Sequence, residues 1–203
     1  MNRKLAQFLS VVLHPVLMPT YALFLIFRLD TYILYTTMPQ ARMVLYIIVI
    51  FNTLIMPVVI SYLLLTKGYI RSFEMQQRQE RLIPYISNVV LMMIAYYMIR
   101  HVVHPPKIFS LLLLGAAASV VIAIFVNLKW KISIHMIGIG GITGMLYGMS
   151  AFLLADFRIP ILISILVAGL LGTARLSLGA HHPLQIYSGF FVGFFCEYFL
   201  LSI

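Results

Sequence analysis

Apolar residues run in long blocks along this chain, and polar residues fall in the short gaps between them. The blocks cover about 8–27, 43–66, 84–100, 108–128, 134–155, 159–177 and 184–203. Each approaches the ~20 apolar residues that a helix needs to cross a bilayer. None shows the alternation over roughly ten residues that a membrane barrel strand requires. Helices satisfy their own backbone groups in lipid, so the pattern predicts an all-α fold, a polytopic transmembrane bundle of six to seven helices. The first block is the weakest, because His14-Pro15 and Pro19 interrupt it. Prolines there predict a kinked or partly interfacial helix. Seven spans take about 140 residues and leave ~63 for loops, so residues 1–203 read as a single domain. Any chemistry must sit at helix ends and in short loops. Gly140, Gly144 and Gly148 recur at every fourth position, as do Gly189 and Gly193. Such stripes let helix backbones approach closely.

Composition sharpens this picture. Hydrophobic residues make up 63% and charged residues 9%, against ~45–50% and about 25% in soluble domains. Mean hydropathy is +1.04. There is too little polar surface for a soluble enzyme, and too much apolar surface for a disordered chain. One cysteine, Cys196, excludes an internal disulfide framework. The opening Met1-Asn2-Arg3-Lys4 imitates a signal peptide, but prolines break the apolar run and no A-x-A site follows, so it is expected to stay in the mature chain.

Net charge is +9. In a membrane chain this points to positive-inside anchoring or to an anionic headgroup rather than to nucleic acid. Seven crossings sort the loops onto two sides. One side holds the N-terminus and the loops 67–83, 129–133 and 178–183. It carries Arg3, Lys4, Lys67, Arg71, Arg78, Arg81, Lys129, Lys131 and Arg175. The other side carries Arg28, Arg42, Arg100, Lys107 and Arg158. Counted alone, the cations would make the first side cytoplasmic. That count loses its force where cations serve a ligand.

Three polar segments fall on the cation-rich side, namely 71–84, 129–135 and 174–185. Lone basic residues at a membrane surface usually snorkel. That does not account for His135 and His181, which join them at helix ends on the same side. Arginines match the non-bridging oxygens of a phosphate ester. One imidazole can attack phosphorus and another can protonate the departing alkoxide. Of the five acids only Glu74 and Glu80 lie on this side. Magnesium-dependent chemistry, including prenyl transfer at acidic motifs, is therefore disfavoured, and no cofactor is expected.

The third segment resembles the signature of the type-2 phosphatidic acid phosphatase superfamily, the integral-membrane lipid phosphate phosphatases. That pattern is Ser-Arg, five residues, His, three residues, Asp. Here it reads Ala174-Arg175, five residues, His181, three residues, Gln185. The second motif, Pro-Ser-Gly-His, reads Ile132-Ser133-Ile134-His135. The first motif, Lys, six residues, Arg-Pro, has only loose echoes, either Arg81 shortly before Pro84 or Arg71, six residues, Arg78. The resemblance covers about residues 67–203, and the motifs keep their order.

The resemblance implies dephosphorylation of a lipid phosphate or diphosphate without metal. His181 would be the nucleophile that forms phosphohistidine. His135 would donate a proton to the leaving group. Arg175 and an arginine of the first segment, Arg81 or Arg78, would hold phosphate, with Ser133 beside them. Lys131 would replace the missing Lys of the first motif, an inference from its nearness to His135. Similar proteins often work on the outer face, which leads to a bacterial inner-membrane enzyme with an extracytoplasmic site. Gln185 departs from the family pattern, since an amide orients an imidazole without stabilising its charge. It implies a slow enzyme, or a lipid-phosphate binder or transporter on the same fold. Glu74 or Glu80 would be the residues to compensate. His182 is the alternative nucleophile. Gly148-Met149-Ser150 imitates a hydrolase serine, but Ser150 lies ~22 Å along a helix from His135, out of reach of a base.

Overall fold

A computed structural model describes residues 1–29, 31–73, 75 and 77–202. Every regular element among these is helical. Seven helical segments are long and apolar enough to cross a membrane: Arg3–Arg28, Pro39–Thr66, Arg78–His101, Ile108–Lys129, Ile134–Leu153, Arg158–Ser177 and Pro183–Leu201. The chain is an integral membrane protein built as a polytopic helical bundle.

The first segment is not one rod. Pro15 lacks an N–H and pushes the preceding residue to extended backbone. Helix α1 (Arg3–Val12) therefore ends just ahead of His14, which is extended. A single 3-10 turn, Pro15–Leu17, leads into α2 (Met18–Arg28). Helix α1 packs against α9 (Arg158–Ser177). Its Leu5, Phe8 and Val11 point outward.

A short helix α3 (Tyr32–Thr36) precedes α4 (Pro39–Ile50), a π turn over Phe51–Ile55, and α5 (Met56–Thr66). Pro57 causes the π turn. It cannot donate to the carbonyl of Thr53, and its ring crowds that carbonyl, so the helix widens by one residue. A 3-10 turn, Arg78–Arg81, opens α6 (Leu82–Met98), and α7 (Ile108–Lys129) follows.

The tightest pair is α8 (Ile134–Leu153) against α10 (Pro183–Leu201). The glycine stripes face each other there. A Cβ on Gly140 would lie 2.1 Å from the carbonyl oxygen of Phe190, and one on Gly193 only 1.9 Å from that of Ile137. Any side chain at these positions would force the helices apart. Their close approach sets the N-termini of α8 and α10 side by side, and the Ser133 N–H donates to the carbonyl oxygen of Gln185 at 3.3 Å.

Candidate active site

Helix α9 ends in a turn that carries two site residues. Gly179 adopts a positive φ of 62°. Its N–H donates to the carbonyl of Leu176, and the N–H of Ala180 reaches back to that of Arg175. This is the Schellman arrangement, which glycine allows without strain. It ties the backbone of Arg175 to the residue just before His181.

His181 is buried and is held by Gln185 at the start of α10. Its Nδ1 lies 3.0 Å from Gln185 Oε1. An amide oxygen only accepts, so Nδ1 carries the proton and Nε2 is left with its lone pair. The same Oε1 accepts from the N–H of His182 at 3.2 Å, as in a capping box. Gln185 thus both caps α10 and sets the tautomer of His181. His182 is exposed.

His135 is the second residue of α8 and is buried. Its Nε2 lies 3.1 Å from the carbonyl oxygen of Ser10, so Nε2 donates there. His14 meets the His135 ring edge-on at 5.2 Å. His14 Nδ1 accepts from the N–H of Val16. Arg175 Nη1 donates to Ser10 Oγ at 3.2 Å. Helix α1 is therefore stitched to both partner helices through Ser10.

These groups line one cavity of about 760 Å³. His135, His181, Arg175, Lys131 and Arg81 all face it. Arg81 is buried, and its Nε donates to the carbonyl oxygen of Met75 at 2.9 Å. Burial, then the charges of Arg81 and Arg175, lower the Lys131 pKa. Burial also brings His181 down to about 3; its Gln185 hydrogen bond opposes this, and the charges of Arg175, Lys131 and Arg81 add to the lowering. His181 is thus a neutral imidazole at physiological pH, beside three cations that repel one another. Such a cluster is relieved by an anion.

Two expected ligands stand elsewhere. Arg78 is turned away from the cavity, donating from Nη1 to the carbonyl of Lys129 at 2.8 Å, while Asn127 Nδ2 donates to the Arg78 carbonyl. It fastens the 3-10 turn to the end of α7. Ser133 is fully buried, off the cavity wall, with no hydrogen-bond partner for Oγ among the described residues. Glu80 lies 3.9 Å from Arg71 and is paired with no histidine among the described residues. Glu74 lies outside the described residues. Ser150 donates to the carbonyl of Ala155 at the far end of α8.

The polar face of α1, with His14 just beyond its end, carries no family motif. Arg3, Gln7, Ser10 and His14 all line the cavity. Their spacing is helical, and it was the available signal. At the opposite, inner end, Glu197 also lines the cavity. It is the one acid within the last apolar run.

No protein-family model matches this chain, and neither a curated protein nor a solved structure does.

Proposed function

We propose that the protein removes phosphate from a membrane lipid phosphate or diphosphate. The reading is carried by a neutral His181, protonated on Nδ1, that shares one cavity with Arg81, Lys131 and Arg175. Nε2 attacks phosphorus, a P–N bond forms, and the P–O bond to the lipid breaks. The departing oxygen takes a proton through His135: its Nε2–H is held by Ser10, so Nδ1 first accepts a proton, from the acidic hydroxyl of the phosphate or from water, and then passes it to the leaving oxygen. Water then hydrolyses the phosphohistidine and releases phosphate and free His181. The three cations bear the charge on the non-bridging oxygens, as preorganised groups do in phosphoryl transfer. That set of protein cations supports a reaction without metal. The lipid chain lies along the apolar walls of the cavity between its two polar ends. We place the protein in a bacterial inner membrane with this site on the extracytoplasmic face.

A second reading is a lipid-phosphate binder or transporter. It is favoured by Gln185, which orients His181 but offers no charge to its cationic form. Purified protein in EDTA, given a panel of lipid phosphates and diphosphates, separates the two. Phosphate release that His181→Ala abolishes supports the enzyme. Saturable binding of the same lipids without release supports the binder.

A further inference from the structure

The cavity continues far past the cations. Its inner end reaches Glu197 on α10, twelve residues and so ~18 Å beyond Gln185 along the helix. Glu197 is 5% exposed, and its Oε2 is buried with no hydrogen-bond partner among the described residues. The carboxyl lies against glycines. A Cβ on Gly115 of α7 would come within 2.6 Å of Oε2, and one on Gly141 of α8 within 3.4 Å of Glu197 Cγ. Among the described residues no charged group acts on it from α7 or α8, and Cys196 on its own helix is a titratable neighbour. Thr53 lines the same cavity, and its Oγ1 is likewise buried without a partner among the described residues. Thr53 sits in the π turn over Phe51–Ile55.

A carboxylate without a counter-charge at this depth carries a large desolvation cost and calls for a neutralising cation. Carboxyl and hydroxyl oxygens are groups that take protons or Na⁺ within membrane helices. We propose that Glu197 is the centre of a monovalent-cation site, for a proton or Na⁺, whose occupancy is linked to anion binding at the mouth of the same cavity. The linkage rests on the lipid-phosphate reading of the mouth; the cation site does not. Two unit negative charges ~18 Å apart at an effective dielectric constant near 20 disfavour each other by about fivefold in affinity. Loading Glu197 therefore strengthens phosphate binding about fivefold, and phosphate binding strengthens cation loading equally.

The test uses the full chain in lipid nanodiscs with dodecyl phosphate as the probe. Its affinity is measured across pH without Na⁺, and across Na⁺ at constant ionic strength and pH. Wild type should gain about fivefold on loading, along pH for a proton or along Na⁺ for sodium. Glu197→Gln and Glu197→Met should both bind at the loaded level and lack that gain; comparing the proteins cancels titration of the phosphate itself. The same response in wild type and in the neutral variants, or none in wild type, overturns the linkage. If dodecyl phosphate binds none of them, the mouth reading has failed. The melting temperature without ligand then tests the cation site alone. It should respond to pH or Na⁺ in wild type more than in either variant, and equal responses overturn the site.

Discussion

Replacing Gln185 by Leu removes the acceptor for His181 Nδ1–H at nearly constant side-chain size. The bond is 3.0 Å long and buried. An N–H stranded in such a place costs about 1–3 kcal/mol. Moving the proton to Nε2, which faces the cavity, relieves that cost. The tautomer ratio should therefore shift by roughly 5- to 150-fold. Turnover should fall with the population of the form with a bare Nε2, by at most the same factor, because only that form attacks phosphorus. Nitrogen-15 NMR of histidine-labelled protein in bilayers reads the tautomer directly, with His181→Ala assigning the signal. Wild type should show unprotonated Nε2, and Gln185→Leu should show protonated Nε2. Gln185→Glu keeps the acceptor and the cap and should retain the wild-type tautomer. A bare Nε2 that persists in Gln185→Leu would refute the reasoning, because some other group would then be setting the ring.

Three further outcomes follow from the site. His135→Ala should harm a lipid phosphate at least tenfold more than p-nitrophenyl phosphate, since general-acid help is worth about 10²–10⁴ and a nitrophenolate leaves without it; equal losses would leave His135 as a phosphate ligand. Arg81→Ala should weaken dodecyl phosphate binding by about tenfold or more, as loss of a hydrogen-bonded charge does. Arg78→Ala should leave that affinity unchanged and lower only the melting temperature, and the reverse pattern would exchange the two arginines. On acidification, the unfolded chain protonates His181 near 6.5 while the folded one resists to about 3. The stability this residue contributes is thus complete above 6.5 and is lost as pH falls towards 3. Melting temperatures from pH 7 to 4 should fall more steeply for wild type than for His181→Gln, and parallel curves would contradict the buried neutral imidazole.

The spans were legible because lipid demands about 20 apolar residues for each crossing, and the seven blocks land on the seven helical segments. Loop sidedness put the polar segments on one side, and the family resemblance picked His135, His181 and Arg175 out of them, with Lys131 added for its nearness to His135; all four line one cavity. Which arginine of the first segment faces the cavity was not legible. Arg78 and Arg81 are the two ends of one 3-10 turn, and turn geometry sends one to the α7 terminus and the other inward. Ser133 sits next to the second-motif histidine, yet packing against Gly189 of α10 turns it into the protein interior. The role of α1 was hidden by hydropathy, which averages its polar stripe with its exposed Leu5 and Phe8. Glu197 was hidden differently: a single acid among apolar residues has no pattern, and only the cavity gives it a place.

A phosphorus–nitrogen bond at His181 is the most direct consequence of this account. Purified protein mixed with a lipid phosphate labelled in its phosphoryl group, quenched in alkali within one turnover and digested, should yield a labelled peptide with phosphohistidine at position 181. The label should be absent in His181→Ala and should accumulate where hydrolysis of the intermediate is slowed. Phosphate release at full rate from His181→Ala, or label on His182 instead, would contradict it.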